Sequence, residues 1–204
     1  VLVNRAPVVD AGADQVITNL QTTLNGTAFD DGFPAGNLVT TWSQVSGPGS
    51  VTFSPAAITN APPATTATFT TTGVYVLRLT ADDSLASRTA DVTISVDAAP
   101  IVAASNAAPI INFPETATFG ATAFDEGLPS GATLTYGWSQ VGGPGTVTFS
   151  DASAFLTSAS FSTSGVYVVQ FQASDTLLTT TSNLTVIVNQ MPTVNAGVPQ
   201  LVTF

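Results

Sequence analysis

The chain contains nearly the same octapeptide twice, first as Trp42-Ser43-Gln44-Val45-Ser46-Gly47-Pro48-Gly49 and again as Trp138-Ser139-Gln140-Val141-Gly142-Gly143-Pro144-Gly145. The tetrapeptide Gly73-Val74-Tyr75-Val76 follows the first copy, and Gly165-Val166-Tyr167-Val168 follows the second. The offsets are 96 residues (138 − 42) and 92 residues (165 − 73), which is the length of one small domain. Two copies of one structural unit are therefore predicted within the 204 residues.

The two ends of the chain extend the same repeat. Val1-Leu2-Val3-Asn4 matches Val186-Ile187-Val188-Asn189, and Pro192–Gly197 matches Pro7–Gly12. We therefore expect a window from a longer array, divided into the last strand of a preceding repeat (1–4), two complete repeats (5–97 and 98–189) and the first strand of a following repeat (190–204).

Short β-strands are predicted throughout. The runs Val74–Ala81 and Val166–Ala173 are rich in β-branched and aromatic residues, and each repeat closes on an alternating strand, Val92–Val96 or Leu184–Val188. Turns such as Gly47-Pro48-Gly49 separate the strands, and no sustained helical stripe is present. About seven short strands per repeat predict an all-β protein of two tandem immunoglobulin-like sandwiches.

One tryptophan per repeat is the predicted centre of each core. A phenylalanine and a tyrosine of later strands, Phe69 with Tyr75 or Phe161 with Tyr167, are expected to pack against it from the opposite sheet. The aromatic residues assigned to the cores are Trp42, Phe69, Tyr75, Trp138, Phe161 and Tyr167.

These segments resemble PKD-type repeats, which occur in many microbial surface proteins. The resemblance is carried by Trp42–Gly49, Gly73-Val74-Tyr75 and Ala81-Asp82-Asp83, and it covers both copies almost entirely. It implies an immunoglobulin-like fold and an extracellular or cell-surface location. For function it implies a spacer, an adhesive stalk or an accessory module of a secreted enzyme, because one fold serves many functions.

Charged residues are few and mostly acidic. Three Lys and Arg residues stand against thirteen Asp and Glu residues, for a net charge of −10. Nucleic-acid binding is excluded as a class, because it needs cations that replace the counterions of phosphates. No apolar run approaches the ~20 residues of a membrane span. Only 8% of residues are charged, which is compatible with contacts between identical subunits, with a sugar coat or with an ordinary Thr-rich adhesin.

No catalytic residues are predicted. The chain has no His, no Cys and no Lys, so the usual general bases and activated nucleophiles are missing. Paired carboxylates at Asp30-Asp31 and Asp82-Asp83 could in principle serve a glycosidase, but Asp is also common in exposed turns. We therefore expect a protein that is not an enzyme.

Calcium is the cofactor that the acidic turns favour. Carboxylates from different loops suit Ca²⁺, which takes six to eight oxygen ligands. PKD-type and cadherin-like repeats sometimes bind calcium near junctions between domains, and the resemblance makes this plausible here. Ordinary solvated turn acids explain the pattern as well, and Ser174 replaces one of the paired acids in the second copy. The candidate ligands are Asp30, Asp31, Asp82 and Asp83 in the first copy, and Asp125, Glu126 and Asp175 in the second.

Two sequons could carry N-linked sugar, Asn25-Gly26-Thr27 and Asn183-Leu184-Thr185. Such triplets also arise by chance, and the Thr-rich stretches that could carry O-linked sugar are equally typical of strands. A sugar-binding face would need exposed aromatic rings, whereas both tryptophans stand at core positions.

Short junctions that contain proline, such as Asp97-Ala98-Ala99-Pro100, limit the swing between neighbouring domains. The sequence therefore predicts a structural array, acting as a spacer or stalk, or as a filament in which identical subunits associate. The alternative is an adhesion module that depends on calcium or binds cell-surface polysaccharide.

Overall fold

A computed structural model describes residues 3–34, 36 and 38–202, and the secondary structure within these ranges consists of strands. Parts of the predicted flanking strands, residues 1–2 and 203–204, lie outside the described residues. The strands of the first repeat are β1 (Val8–Asp10), β2 (Gln15–Ile17), β3 (Gln21–Asn25), β4 (Thr27–Phe29), β5 (Val39–Ser46), β6 (Val51–Ser54), β7 (Ala57–Thr59), β8 (Ala64–Phe69), β9 (Gly73–Asp82) and β10 (Ser87–Val96). Those of the second are β11 (Ile101–Asn106), β12 (Ile110–Asn112), β13 (Ala117–Phe124), β14 (Thr135–Gly142), β15 (Val147–Phe149), β16 (Leu156–Phe161), β17 (Gly165–Ser174) and β18 (Thr179–Asn189).

The first repeat forms two facing layers. One sheet has the order β2-β10-β9-β5-β7, and the other layer contains β3-β8-β6 together with the β1-β4 pair. Strand β2 runs parallel to β10, whereas β9 runs antiparallel to β10 and to β5. The alternation of buried and exposed residues along β9 places one face of that strand in the core.

The second repeat follows the same plan. Its sheets have the orders β12-β18-β17-β14 and β11-β13-β16-β15, and β12 again runs parallel to the closing strand β18. Each repeat is therefore a β-sandwich with the strand arrangement of an immunoglobulin-like domain, and the predicted fold class is confirmed.

Each core is organised around its tryptophan. Trp42 is 3% exposed and Trp138 is 5% exposed. The Trp42 Nε1–H donates to the Pro63 carbonyl at 2.8 Å, so the buried indole leaves no polar atom unpaired. Phenylalanine and tyrosine meet across the two sheets in both repeats, with ring centroids 4.7 Å apart for Phe69–Tyr75 and 4.9 Å apart for Phe161–Tyr167. The prediction that the tyrosine comes from the sheet opposite the tryptophan is wrong, because β9 lies beside β5 and β17 lies beside β14 in the same sheet.

The repeated octapeptide serves to hold a loop against the tyrosine. In the first repeat Gln44 Nε2 donates to the Gly49 carbonyl at 2.6 Å, and Gln44 Oε1 accepts from Val51 N at 3.0 Å. The Tyr75 hydroxyl donates to the Thr71 carbonyl at 2.8 Å. A Cβ at Gly47 would overlap the Tyr75 ring, so only glycine fits there.

By contacts, the chain divides into two compact units. The first holds the described residues up to Pro100 together with Asp125–Leu134 and Ser174–Thr179, and the second holds Ile101–Phe124, Thr135–Ala173 and the described residues from Thr180 onward. The first unit therefore includes two turns that the sequence assigns to the second repeat. The predicted boundaries at 5–97 and 98–189 stay a prediction.

Candidate metal centre

The acidic turns form two clusters with the same plan, both within the first compact unit. Cluster I consists of Asn4, Asp30, Asp31 and Asp83, and cluster II consists of Asp97, Asp125, Glu126 and Asp175. In each cluster one residue precedes the repeat, two follow the strand β4 or β13, and one follows the long strand β9 or β17. Four chain positions of each repeat thus converge on one place.

A backbone hydrogen bond attaches the residue that follows Asn4 or Asp97 to the first acidic turn of each cluster. In cluster I the Arg5 N–H donates to Asp31 Oδ2 at 3.1 Å, and in cluster II the Ala98 N–H donates to Glu126 Oε1 at 2.6 Å. These bonds hold the side chains of Asn4 and Asp97 near the acidic turns.

The first acidic turn uses one carboxylate oxygen for its own backbone. Asp30 Oδ2 accepts from Gly32 N at 3.0 Å, and Asp125 Oδ2 accepts from Gly127 N at 3.1 Å. The other oxygen of each carboxylate, Oδ1, is buried and has no hydrogen-bond partner. One oxygen of each turn therefore faces its cluster without a donor.

The turn after the long strand also uses one oxygen for its own backbone. Asp83 Oδ1 accepts from Leu85 N at 2.8 Å and from Ala86 N at 2.7 Å. Asp175 Oδ1 does the same, with donors Leu177 N and Leu178 N at 2.8 and 2.7 Å. The turns match in backbone conformation too, since Ser84 and Thr176 have φ values of 80° and 93°.

The second oxygen of these turn carboxylates distinguishes the clusters. In cluster I, Asp83 Oδ2 accepts a hydrogen bond from Asn4 Nδ2 at 3.1 Å. In cluster II, Asp175 Oδ2 is buried without a partner, and so are both carboxylate oxygens of Asp97. Asp97 is 2% exposed and Asp175 is 1% exposed, so water does not reach these oxygens freely.

The electrostatics of the two clusters differ accordingly. Burial, together with the negative charges of Asp175, Glu126 and Asp125, raises the pKa of Asp97 to about 6. Burial also raises the pKa of Asp125. The pKa of Asp83 is lowered instead, because hydrogen bonds from Leu85, Ala86 and Asn4 outweigh the opposing effect of burial.

Cluster II contains carboxylate oxygens, which are the ligand type that hard divalent cations prefer. Carboxylate oxygens without protein donors, buried and close to one another, are stabilised by Ca²⁺ or by protonation. As they stand, no three acidic side chains within residues 3–34, 36 and 38–202 are arranged closely enough to hold a metal ion.

Not all of the seven acids that the sequence predicts as metal ligands belong to a cluster. Asp82 is exposed, and its Oδ1 accepts from Ser84 N at 2.7 Å in the local turn. Sequence reasoning missed Asn4 and Asp97 as cluster members. The alignment of the repeat ends could have found them: Asn4, Asp97 and Asn189 occupy equivalent positions, and of these three residues Asp97 carries a carboxylate.

The two sequon asparagines lie on strands and are exposed. Asn25 ends β3, and Asn183 lies within β18, where its Oδ1 accepts from Gln170 Nε2 at 2.9 Å. N-linked glycosylation at both positions stays a prediction. Since both tryptophans are buried, neither offers a platform on which a sugar ring could stack.

The fold and the octapeptide loop define the chain as a tandem array of immunoglobulin-like sandwiches. The chain belongs to the family described as "K319L-like, PKD domain", whose family model matches residues 11–96 and 110–188. The resemblance to PKD-type repeats is thereby confirmed. Within the described residues, no helix has the length and apolar character that a membrane crossing requires.

Solved structures of low sequence identity share the fold. The D00-D0 domain of intimin is 14% identical with a TM-score of 0.50, and the match covers 89% of this chain and 99% of that one. Extracellular domains 3–5 of Drosophila OTK are 11% identical with a TM-score of 0.53, and the match covers 87% of this chain and 59% of that one. At such identities the likeness concerns the fold alone.

Proposed function

We propose that this chain is a non-catalytic structural segment of an extracellular array, in which PKD-type sandwiches act as spacers. The observation that carries this proposal is that both repeats build the same core and the same tyrosine-bound loop. Gln140 Nε2 donates to the Gly145 carbonyl at 2.6 Å and the Tyr167 hydroxyl donates to the Thr163 carbonyl at 2.8 Å, as their counterparts do in the first repeat. Repetition of a stable unit serves extension, since each unit adds length without new chemistry.

The chemistry of the chain supports a role without catalysis. With no His, Cys or Lys in the sequence, a general base or nucleophile would have to be a carboxylate. A cleft of about 490 Å³ in the first repeat is lined mostly by glycine, alanine, proline and other uncharged residues, and Asp30 is the one ionisable residue among its described lining. A single carboxylate does not supply the acid and base pair that glycoside hydrolysis needs.

An extracellular location follows from the same proposal. Domains 3–5 of Drosophila OTK, which share the fold, are described by their name as extracellular. An acidic chain without cysteine does not depend on disulfides for stability outside the cell.

Association of identical subunits into a filament is the finer form of the structural role. Two exposed apolar pairs support it. Val8 and Phe29 face each other across β1 and β4 and are 69% and 68% exposed, and Ile101 and Phe124 face each other across β11 and β13 and are 73% and 68% exposed. Apolar pairs that recur at the same place in each repeat could bury against a second copy.

Calcium binding is a second function, favoured by the unpartnered oxygens of cluster II. The ion would be held by Asp97, Asp125 and Asp175, with Glu126 at the edge of the cluster. Bound Ca²⁺ would supply the positive charge that these carboxylates lack. The residue that precedes the repeat would then be fixed to two turns, which stiffens that part of the spacer.

Single-molecule force spectroscopy tests the spacer proposal. Stretching the 204-residue chain should produce two separate unfolding events. Each should release about 300 Å of contour length, because a repeat of roughly 90 residues extends by about 3.4 Å per residue. A single event that releases about twice this length would contradict independently folded spacer units.

A further inference from the structure

The two acidic clusters are built alike but differ at the residue that precedes the repeat. We propose that Asp97 makes cluster II dependent on a bound divalent cation of the calcium type, whereas Asn4 completes cluster I without an ion. This inference rests on the proposed calcium binding and deepens it, since it names the residue that decides which cluster needs the ion.

Cluster I is completed by a protein donor. The Asn4 amide donates to Asp83 Oδ2 at 3.1 Å, so both oxygens of this buried carboxylate are bonded. The next residue, Arg5, donates its backbone N–H to Asp31. The Asn4 amide thus provides at Asp83 the donor that a cation would otherwise replace.

Cluster II lacks this donor. Asp97 replaces the amide with a carboxylate, which cannot donate when ionised. As a result, both Asp97 oxygens and Asp175 Oδ2 are buried without partners, whereas Asp125 Oδ1 is unpartnered just as Asp30 Oδ1 is in cluster I, where Asn4 Oδ1 also has no partner. The cluster contains four carboxylates, whereas cluster I contains three carboxylates and one amide.

The cations of the chain do not compensate for this charge. Arg78 binds Asp91 through Nε at 2.7 Å, and Arg88 Nη1 donates to the Ser87 carbonyl at 3.0 Å. Lysine is absent from the sequence. Buried, unpaired carboxylates are costly, and an external divalent cation neutralises several of them together.

Each cluster serves as a control for the other, because most of their features are the same. Both clusters share the two-residue acidic turn, the backbone bonds of the second turn and a positive φ at Ser84 or Thr176. Besides Asp31 and Glu126, which differ by one methylene, the clusters differ at position 4 or 97, and exchanging that residue should exchange the ion dependence.

The test is calorimetric melting of the whole chain and its variants, in EDTA and in excess CaCl₂. The wild-type chain should melt about 5 °C or more higher in calcium at a hundredfold excess over Kd. Asp97→Asn should lose this shift and melt in EDTA no lower than the wild type. Asn4→Asp should enlarge the calcium shift and melt lower in EDTA. Asp10→Asn is the matched control, because Asp10 is an exposed residue at the end of β1 whose bond to Gly12 N an asparagine can also make.

Terbium(III) luminescence, with Tb³⁺ as a probe for calcium sites, checks binding separately from stability, so that a variant that folds poorly still gives an answer. Tb³⁺ emission should be lost in Asp97→Asn and kept in Asp10→Asn. Failure of the wild type to respond to calcium or to Tb³⁺ would sink both the calcium proposal and this inference. A wild-type response that Asp97→Asn retains in full would overturn the inference alone.

Discussion

Asn4 Nδ2 donates a hydrogen bond to Asp83 Oδ2 at 3.1 Å, and the equivalent oxygen of Asp175 is buried without a partner. One amide thus distinguishes two otherwise matching turns, since it bonds the second carboxylate oxygen of Asp83 whereas that of Asp175 has no donor. The bond also ties the residue that precedes the first repeat to the turn after β9, over 79 positions of sequence.

Replacement of Asn4 by alanine should therefore lower the stability of the first unit. The Asp83 carboxylate would lose one of its three donors, and a buried acceptor without a partner is unfavourable. Urea denaturation should show a lower midpoint with an unchanged m-value. The control is Asn195→Ala, since Asn195 is exposed and bonds only the nearby Gly197 N in the described structure. Equal midpoints for Asn4→Ala and the control would contradict the stabilising role of the bond.

The pH dependence of the metal-free chain should report on Asp97. Its pKa is raised to about 6 in the folded state, so the folded chain holds this proton more tightly than the unfolded chain does. The resulting stability is complete below the unfolded value near 3.8 and is lost as the pH rises through about 6. In EDTA, the melting temperature of the wild type relative to Asp97→Asn should therefore fall between pH 4 and pH 7.

Asp125 contributes with the same sign, because its pKa is also raised. Asp83 contributes with the opposite sign, and its effect lies at lower pH because its pKa is lowered. A difference between wild type and Asp97→Asn that stays constant over this range would contradict the raised pKa.

Truncation of Trp138 should be among the most damaging changes in the second repeat. The indole lies 5.0 Å from the Phe171 ring and 5.4 Å from the Phe119 ring, between centroids, and is 5% exposed. Trp138→Ala should cost about 3–5 kcal/mol of unfolding free energy through the cavity it leaves. Val194→Ala is the control, since Val194 is 93% exposed, and should change stability by less than about 0.5 kcal/mol.

Two adjacent glycines of the second octapeptide should respond very differently to alanine. Gly143 has a φ of 138°, and a Cβ there would overlap the Tyr167 ring. At Gly142 a Cβ would meet Val168 Cβ at 3.7 Å, an ordinary contact, and the first repeat has Ser46 at this position. Gly143→Ala should cost at least about 2 kcal/mol from strain and overlap, whereas Gly142→Ala should leave thermal stability nearly unchanged. Similar losses for both variants would contradict the close packing of the octapeptide loop.

The fold could be predicted from sequence because its signals are local and occur twice. The octapeptide with its glycines and the alternating strand after Gly73 each report on a single strand or turn. The acidic turns were also visible in this way. The clusters form where three distant segments of the chain meet. Neither the repeat period nor the composition shows which segments meet.

Asp97 was overlooked for the same reason. In sequence it is one acid beside two alanines at a junction, and its significance depends on burial and on the missing donor at Asp175. Asp82 shows the converse, since the sequence pairs it with Asp83, but Asp82 ends β9 with an exposed side chain whereas Asp83, in the turn that follows, is buried.

Isothermal titration of the metal-free chain with CaCl₂ tests the central claim most directly, because it counts the ions that bind. One ion per chain is expected, lost in Asp97→Asn and increased to two in Asn4→Asp. No binding by the wild type, or one ion still bound by Asp97→Asn, would contradict the assignment of Asp97 as the residue that recruits the cation.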